Sequence, residues 1–219
     1  GYDSEVYLKK GTGESQKLNV VIAEDGRINI DKTVPVSMGA TEMKVSPNGK
    51  EIAFVVRGEI FVTSVDGGVT KRITNTAFQE RSVSFSPDGR SLVYAAEPDS
   101  SWNIYTVSIA RKEEPYFYAS TVLKTETIIA TRAEEFQPAY SPDGTFIVYN
   151  ARVSGNQKLF RLDLDTKKKT QITFGTQDES GAQFLDDHTL VFSSTATDPS
   201  RGRSWWPRRR GWSPPGCCA

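Results

Sequence analysis

One four-residue phrase, written three times, decides what this chain can fold into. Ser46-Pro47-Asn48-Gly49, Ser86-Pro87-Asp88-Gly89 and Ser141-Pro142-Asp143-Gly144 each stand beside short β-branched and aromatic runs. In each copy proline presets φ at about −65° at the second turn position, the Asn or Asp suits the third, and glycine supplies the positive φ of the exit. The neighbouring runs Ile52-Ala53-Phe54, Val83-Ser84-Phe85, Ser91-Leu92-Val93-Tyr94 and Phe146-Ile147-Val148-Tyr149 suit pleated, buried strands. A turn repeated in this way makes the chain a repeat protein before anything else.

The clearest unit holds Glu59-Ile60-Phe61-Val62-Thr63, the hairpin signal Asp66-Gly67-Gly68 and the returning run Thr70-Lys71-Arg72-Ile73-Thr74. Ser82-Val83-Ser84-Phe85 then leads into the turn, and Ser91-Leu92-Val93-Tyr94-Ala95 leaves it. Ser46 and Ser86 are 40 residues apart, and four short strands in that span is the period of a propeller blade. Before it, Glu5-Val6-Tyr7-Leu8 and Lys17 to Ile22 read as strands around the turn Lys10-Gly11-Thr12-Gly13, followed by irregular sequence to Gly39 and by Glu42-Met43-Lys44-Val45. Ser86 and Ser141 are 55 residues apart; the surplus lies in Arg111 to Glu135 and is expected to leave the blade as a loop or extended hairpin. A last unit runs from Leu159-Phe160-Arg161-Leu162 to Thr189-Leu190-Val191-Phe192, with Leu185-Asp186-Asp187 where Pro-Asp-Gly stands elsewhere.

The expected fold is all-β: a fragment of a β-propeller over residues 1–198, built from four-stranded antiparallel blades at roughly 1–57, 58–98, 99–153 and 154–195. Three blades and a partial one do not close a ring, so open strand edges and self-association as a homo-oligomer are expected.

The formal net charge of zero hides an asymmetry. Residues 201–219 hold five of the 27 basic residues and none of the 27 acidic ones, which leaves 22 basic against 27 acidic upstream. The body is mildly acidic, with no basic stripe for a phosphate backbone, so no nucleic-acid partner is expected. No apolar run reaches the roughly 18 residues of a membrane span. No signal peptide is readable at the start, which opens inside a strand pattern; a soluble protein of periplasm or cytoplasm is expected. Residues 199–219 have neither strand nor helix periodicity and contain three of the four tryptophans and both cysteines, Cys217 and Cys218. They read as out-of-frame translation or a cloning scar, against an Arg/Trp patch for nucleic acid or a membrane surface.

Catalytic chemistry has little to stand on. The one histidine, His188, lies in the degraded turn Asp186-Asp187-His188-Thr189 and reads as a turn residue, with no G-x-S-x-G elbow to serve. Zinc needs three or four Cys or His ligands. Asp66 and Asp186-Asp187 read as turn residues, not calcium ligands, and Gly11-Thr12-Gly13 is too short for a dinucleotide fingerprint. No catalytic, cofactor-binding or metal residue is assigned, and no cofactor. Lys167-Lys168-Lys169 reads as a solvated hairpin tip, against an anionic docking site. Tyr116-Phe117-Tyr118 either packs the insertion against its own blade or contacts peptide or a neighbouring domain.

Ile60-Phe61, Asp66-Gly67-Gly68, Ile73-Thr74 and Phe85-Ser86-Pro87-Asp88-Gly89-Arg90 together resemble the WD40-like propeller repeat of TolB, tricorn peptidases and prolyl-oligopeptidase relatives. Met43 to Thr76, and Trp102-Asn103-Ile104-Tyr105 through Arg111 to Ser120, resemble the propeller region of bacterial tricorn-type serine peptidases, over roughly residues 1–195. That resemblance implies a non-catalytic segment that gates or routes peptide or protein substrates toward PDZ and peptidase domains of a parent chain. The family's catalytic serine, histidine and glutamate belong to its C-terminal domain, and no position here matches them. Two alternatives stand: a TolB-like interaction propeller, or the propeller of a prolyl-oligopeptidase-type enzyme with an α/β-hydrolase domain.

Overall fold

The computed structural model describes residues 6–18, 39–186 and 189–195. Strands β1 (Val6–Leu8) and β2 (Gln16–Leu18) form an antiparallel hairpin by themselves, with Val6 opposite Leu18. The turn between them is the expected glycine one: Gly13 N–H donates to the Lys10 carbonyl at 3.2 Å and Gly11 has φ 56°.

The second unit contains the repeats. Strands β3 (Ala40–Val45), β4 (Glu51–Val56), β5 (Glu59–Ser64) and β6 (Thr70–Arg72) pair in sequence order into one four-stranded antiparallel sheet. So do β7 (Glu80–Phe85), β8 (Ser91–Ala96), β9 (Asn103–Ile109) and β10 (Leu123–Ile129). A third sheet holds β11 (Glu135–Tyr140), β12 (Phe146–Val153), β13 (Asn156–Asp163) and β14 (Lys169–Gln171), and β15 (Glu179–Asp186) pairs with β16 (Thr189–Ser194). This is the expected propeller fragment. Sequence phrase and sheet are out of phase, however: Glu59 to Ala95 gives its first two strands to one sheet and its last two to the next. Among the described residues no helix is long and apolar enough to cross a membrane.

The three corners are near copies. Gly144 N–H donates to the Ser141 carbonyl at 2.9 Å, and the Ser141 hydroxyl accepts from Phe146 N–H at 3.1 Å while lying 2.6 Å from Asp143 Oδ1. The same contacts join Ser46 to Glu51 and Asn48, and Ser86 to Ser91 and Asp88. Gly49, Gly89 and Gly144 have φ 70°, 71° and 70°. A side-chain hydroxyl thus closes the ladder where proline cannot donate.

Between corners the repeat is aromatic and acidic. Cross-strand partners Phe54 and Phe61, Tyr94 and Tyr105, and Tyr149 and Phe160 stack with ring centroids 5.7–5.9 Å apart, one pair per sheet. Glu80 and Glu135, each six residues before a corner serine, and Glu179 at the start of β15 are buried. Threonine hydroxyls hold them: Thr76 and Thr74 on Glu80, Thr131 on Glu135, and Thr173 on Glu179 at 3.2 Å.

Cores fill the spaces between sheets. Ala53, Val55, Ile60 and Val62 of the first sheet meet Val83, Phe85, Leu92 and Val107 of the second. Val93 and Ile104 on the other face meet Ile147, Tyr149 and Leu162 of the third. β8 is therefore covered on both faces, which explains its unbroken apolar run. Phe146, Val148 and Leu159 close against Ala182 of β15.

Candidate functional site

The first strand of each sheet lies beside the first strand of the next: β3 against β7, β7 against β11, and β11 against β15. Each carries a register shift near its start. At the bulge, Ser82, Gln137 and Gly181 have φ 59°, 52° and 65°. Glu42, Ser82 and Gln137 each stand four residues before a corner serine. Side chains there reach across to the neighbouring bulge: Glu42 Oε2 accepts from Ser82 N–H at 2.6 Å, and Gln137 Oε1 accepts from Gly181 N–H at 2.8 Å. A bulge frees a backbone donor, and a carboxylate or amide from the previous sheet takes it up.

These strands, Trp102 after β8, Glu134 just before β11, and the adjoining ends of β12 and β13 line a recess of about 460 Å³. Glu42, Arg81, Trp102, Glu134, Phe136 and Arg152 give it its chemical character. The Arg81 guanidinium carbon lies over Trp102, 3.6 Å from the ring centroid, and 5.7 Å from that of Phe136. Its Nε is buried without a hydrogen-bond partner. Glu134 is occupied by Arg152 at 3.2 Å. The lining offers two serines, Ser82 and Ser180, and no histidine, lysine or cysteine to activate them. Among the described residues no cluster of His, Cys, Asp and Glu is placed to hold a metal ion. The arrangement is equipped for recognition: a cation on an aromatic wall, two carboxylates and two amides.

The residues singled out in the sequence lie elsewhere. His188 and Asp187 fall outside the described residues, as does the tail. Lys167, with φ 57°, and its neighbours form the exposed turn between β13 and β14. Asp66 sits in the exposed turn between β5 and β6, its N–H on Ser64 Oγ at 3.3 Å. The insertion is a loop between β9 and β10, and its aromatics pack: Phe117 is fully buried, edge-on to Phe85 at 6.1 Å, while Tyr116 stacks on Tyr118 at 5.3 Å. It also leaves its own sheet, since Tyr118 N–H reaches Glu51 of the first sheet and Lys71 Nζ binds the Ser120 carbonyl.

Arg81 and Trp102 were not apparent from the sequence. For Arg81 the available signal was the column five residues before each corner serine, where Thr41, Arg81 and Phe136 differ, while Glu80 and Glu135 beside the last two agree. Variation inside an otherwise constant repeat marks positions free to specialise.

Residues 6–201 match the family model described as the TolB beta propeller domain. The Tol-Pal system protein TolB of Francisella tularensis is 30% identical over 162 residues, covering 70% of this chain and 35% of that protein. An uncharacterized peptidase of Bacillus subtilis, YuxL, is 23% identical over 145 residues, covering 52% of this chain and 22% of that protein. A solved structure assigned as TolB in Agrobacterium tumefaciens superposes with a TM-score of 0.58 at 20% identity, covering 89% of this chain and 65% of that one. The chain thus spans about a third or less of the curated relatives it matches.

Proposed function

The chain belongs to the TolB β-propeller family, and on that premise we propose that it is a non-catalytic propeller segment of a serine peptidase of the tricorn type. It gates peptide substrates and routes them to hydrolytic residues beyond the residues described here. The observation that carries this reading is the recess along the first strands, whose lining presents charged, amide and aromatic groups to a polar chain and has no histidine, lysine or cysteine beside its two serines. The similarity to a peptidase of Bacillus subtilis supports the same reading. Short peptides should bind the purified chain saturably and leave it uncleaved. Turnover of fluorogenic peptides that is abolished by His188→Ala would overturn the non-catalytic assignment, and absence of peptide binding would overturn the routing role.

A second reading is a TolB-like interaction propeller that docks a folded protein partner, favoured by the 30% identity to TolB of Francisella tularensis. Binding of a folded protein, with no affinity for short peptides, would select it.

A further inference from the structure

We propose that the recess is a carboxylate-reading peptide subsite in which Arg81, braced on Trp102, receives one carboxylate of the bound chain. The proposal deepens the peptide-handling reading above and rests on it.

Several cations of this molecule have a carboxylate partner. Arg152 has Glu134, Arg72 has Glu59, and the buried Lys158 has Glu179. Arg81 is the exception within the recess: no described carboxylate pairs with it, and its Nε is a buried donor without an acceptor. A guanidinium keeps its charge at any physiological pH, and a donor shut away without an acceptor costs stability. The two carboxylates nearby are committed, Glu42 to Ser82 N–H and Glu134 to Arg152.

The aromatic contact supplies the second half of the argument. Trp102 at 3.6 Å holds the guanidinium plane in place before any ligand arrives. A fixed planar fork suits a carboxylate, which takes two parallel N–H···O bonds. Glu42 and Glu134 on the lining disfavour a ligand of higher negative charge, so the geometry selects one carboxylate over a phosphate dianion. The volume, about 460 Å³, holds a few residues of extended chain, which would lie along Trp102 and Phe136.

The carboxylate can come from a peptide C-terminus or from an Asp or Glu side chain, and calorimetry on the full chain separates the two. Four alanine-rich hexapeptides are titrated: one with a free C-terminus, one amidated, one amidated with an internal Glu, and one amidated with Gln in its place. One or both carboxylate peptides should bind at least about tenfold more tightly than their neutral counterparts, and the tighter of the two identifies the source. Arg81→Gln should erase that difference, and Arg81→Lys should restore only part of it. Equal binding of all four peptides would overturn the proposal and leave the peptide-handling reading standing. Binding of none would overturn both. If Arg81→Gln fails to melt cooperatively, the four peptides on the unaltered chain still decide the matter.

Discussion

The main-chain N–H of Tyr118 donates to the carboxylate of Glu51 at 3.1 Å, joining residues 67 positions apart in sequence. Glu51 opens β4 and is buried; Tyr118 sits in the insertion after β9. Through this bond, and with Phe117 seated among Val62, Phe85 and Val107, the insertion fastens the second sheet to the first.

Removing either anchor should loosen that joint. Phe117→Ala empties a fully buried ring site and should cost about 3–5 kcal/mol in urea unfolding. Glu51→Ala leaves Tyr118 N–H without its acceptor and should cost about 1–3 kcal/mol. Glu51→Gln keeps an acceptor for that N–H, so its cost should be the smallest of the three. An unfolding midpoint for Phe117→Ala equal to that of the unaltered chain would contradict the structure.

Acidity should stabilise part of this protein. Thr74 Oγ1 accepts from Ile60 N–H at 2.9 Å and lies 3.0 Å from Glu59 and 3.1 Å from Glu80. One hydroxyl proton cannot serve two carboxylates, so both contacts are satisfied when one carboxyl is protonated. Burial, aided by the charge of Glu59, pushes Glu80 above its ordinary 4.5, and burial raises Glu51 and Glu135 likewise. A raised carboxyl binds its proton more tightly folded than unfolded, so its contribution falls as pH climbs above 4.5. Urea midpoints should therefore decline as pH rises above about 4.5, and Glu80→Gln should flatten that slope. A slope unchanged by Glu80→Gln would count against the shared proton.

Asp143 acts in the opposite sense. Burial works against its charge, but hydrogen bonds from the Ser141 hydroxyl and from Thr145 outweigh it and hold the carboxyl below 3.8. Its contribution is present above that value and is lost as pH falls through the depressed one. Asp143→Asn should lessen the loss of stability on the acid side and leave the alkaline slope alone, as read from urea midpoints.

The sequence showed the corners and not the site, and the reason is range. Ser141, Asp143 and Gly144 act on one another within a few bonds, so their residue types alone encode the turn and the strands on either side of it. Glu80 and Glu135 stand six residues before their corner serines and Glu179 lies near the start of β15, yet a charged residue in a strand reads as a solvent face until its threonines are known. Phe117 and Glu51 meet only through tertiary packing, and Arg81 meets Trp102 from across a loop. The fold is local chemistry repeated; the recess is formed where repeats differ.

Glu179 tests what a buried ion pair contributes. Lys158 Nζ lies 2.8 Å from Glu179 Oε2, and both side chains are almost wholly shielded from water. Lys158→Met leaves the carboxylate buried with only Thr173 Oγ1 at 3.2 Å, and should cost about 3–5 kcal/mol. Adding Glu179→Leu to that variant removes the orphaned charge and should recover much of the loss. Independent, additive costs for the two substitutions would show that the pair does not act as a unit.

The corners also touch one another from sheet to sheet, at Gly144 and Pro87. The φ of 70° at Gly144 strains any residue with a Cβ, by about 1–2 kcal/mol. A Cβ there would stand 3.5 Å from Pro87 Cδ of the preceding corner, an ordinary van der Waals contact. At Gly49, with the same φ, a Cβ would meet nothing within 4 Å. Gly49→Ala and Gly144→Ala should therefore each lose the backbone cost and little else. Pro87→Ala in the Gly144→Ala background should recover none of it, since Pro87 does not stand in the way. Unfolding midpoints for the three variants decide it: a Gly144→Ala protein clearly less stable than Gly49→Ala, and restored by Pro87→Ala, would show that the neighbouring corner crowds the turn.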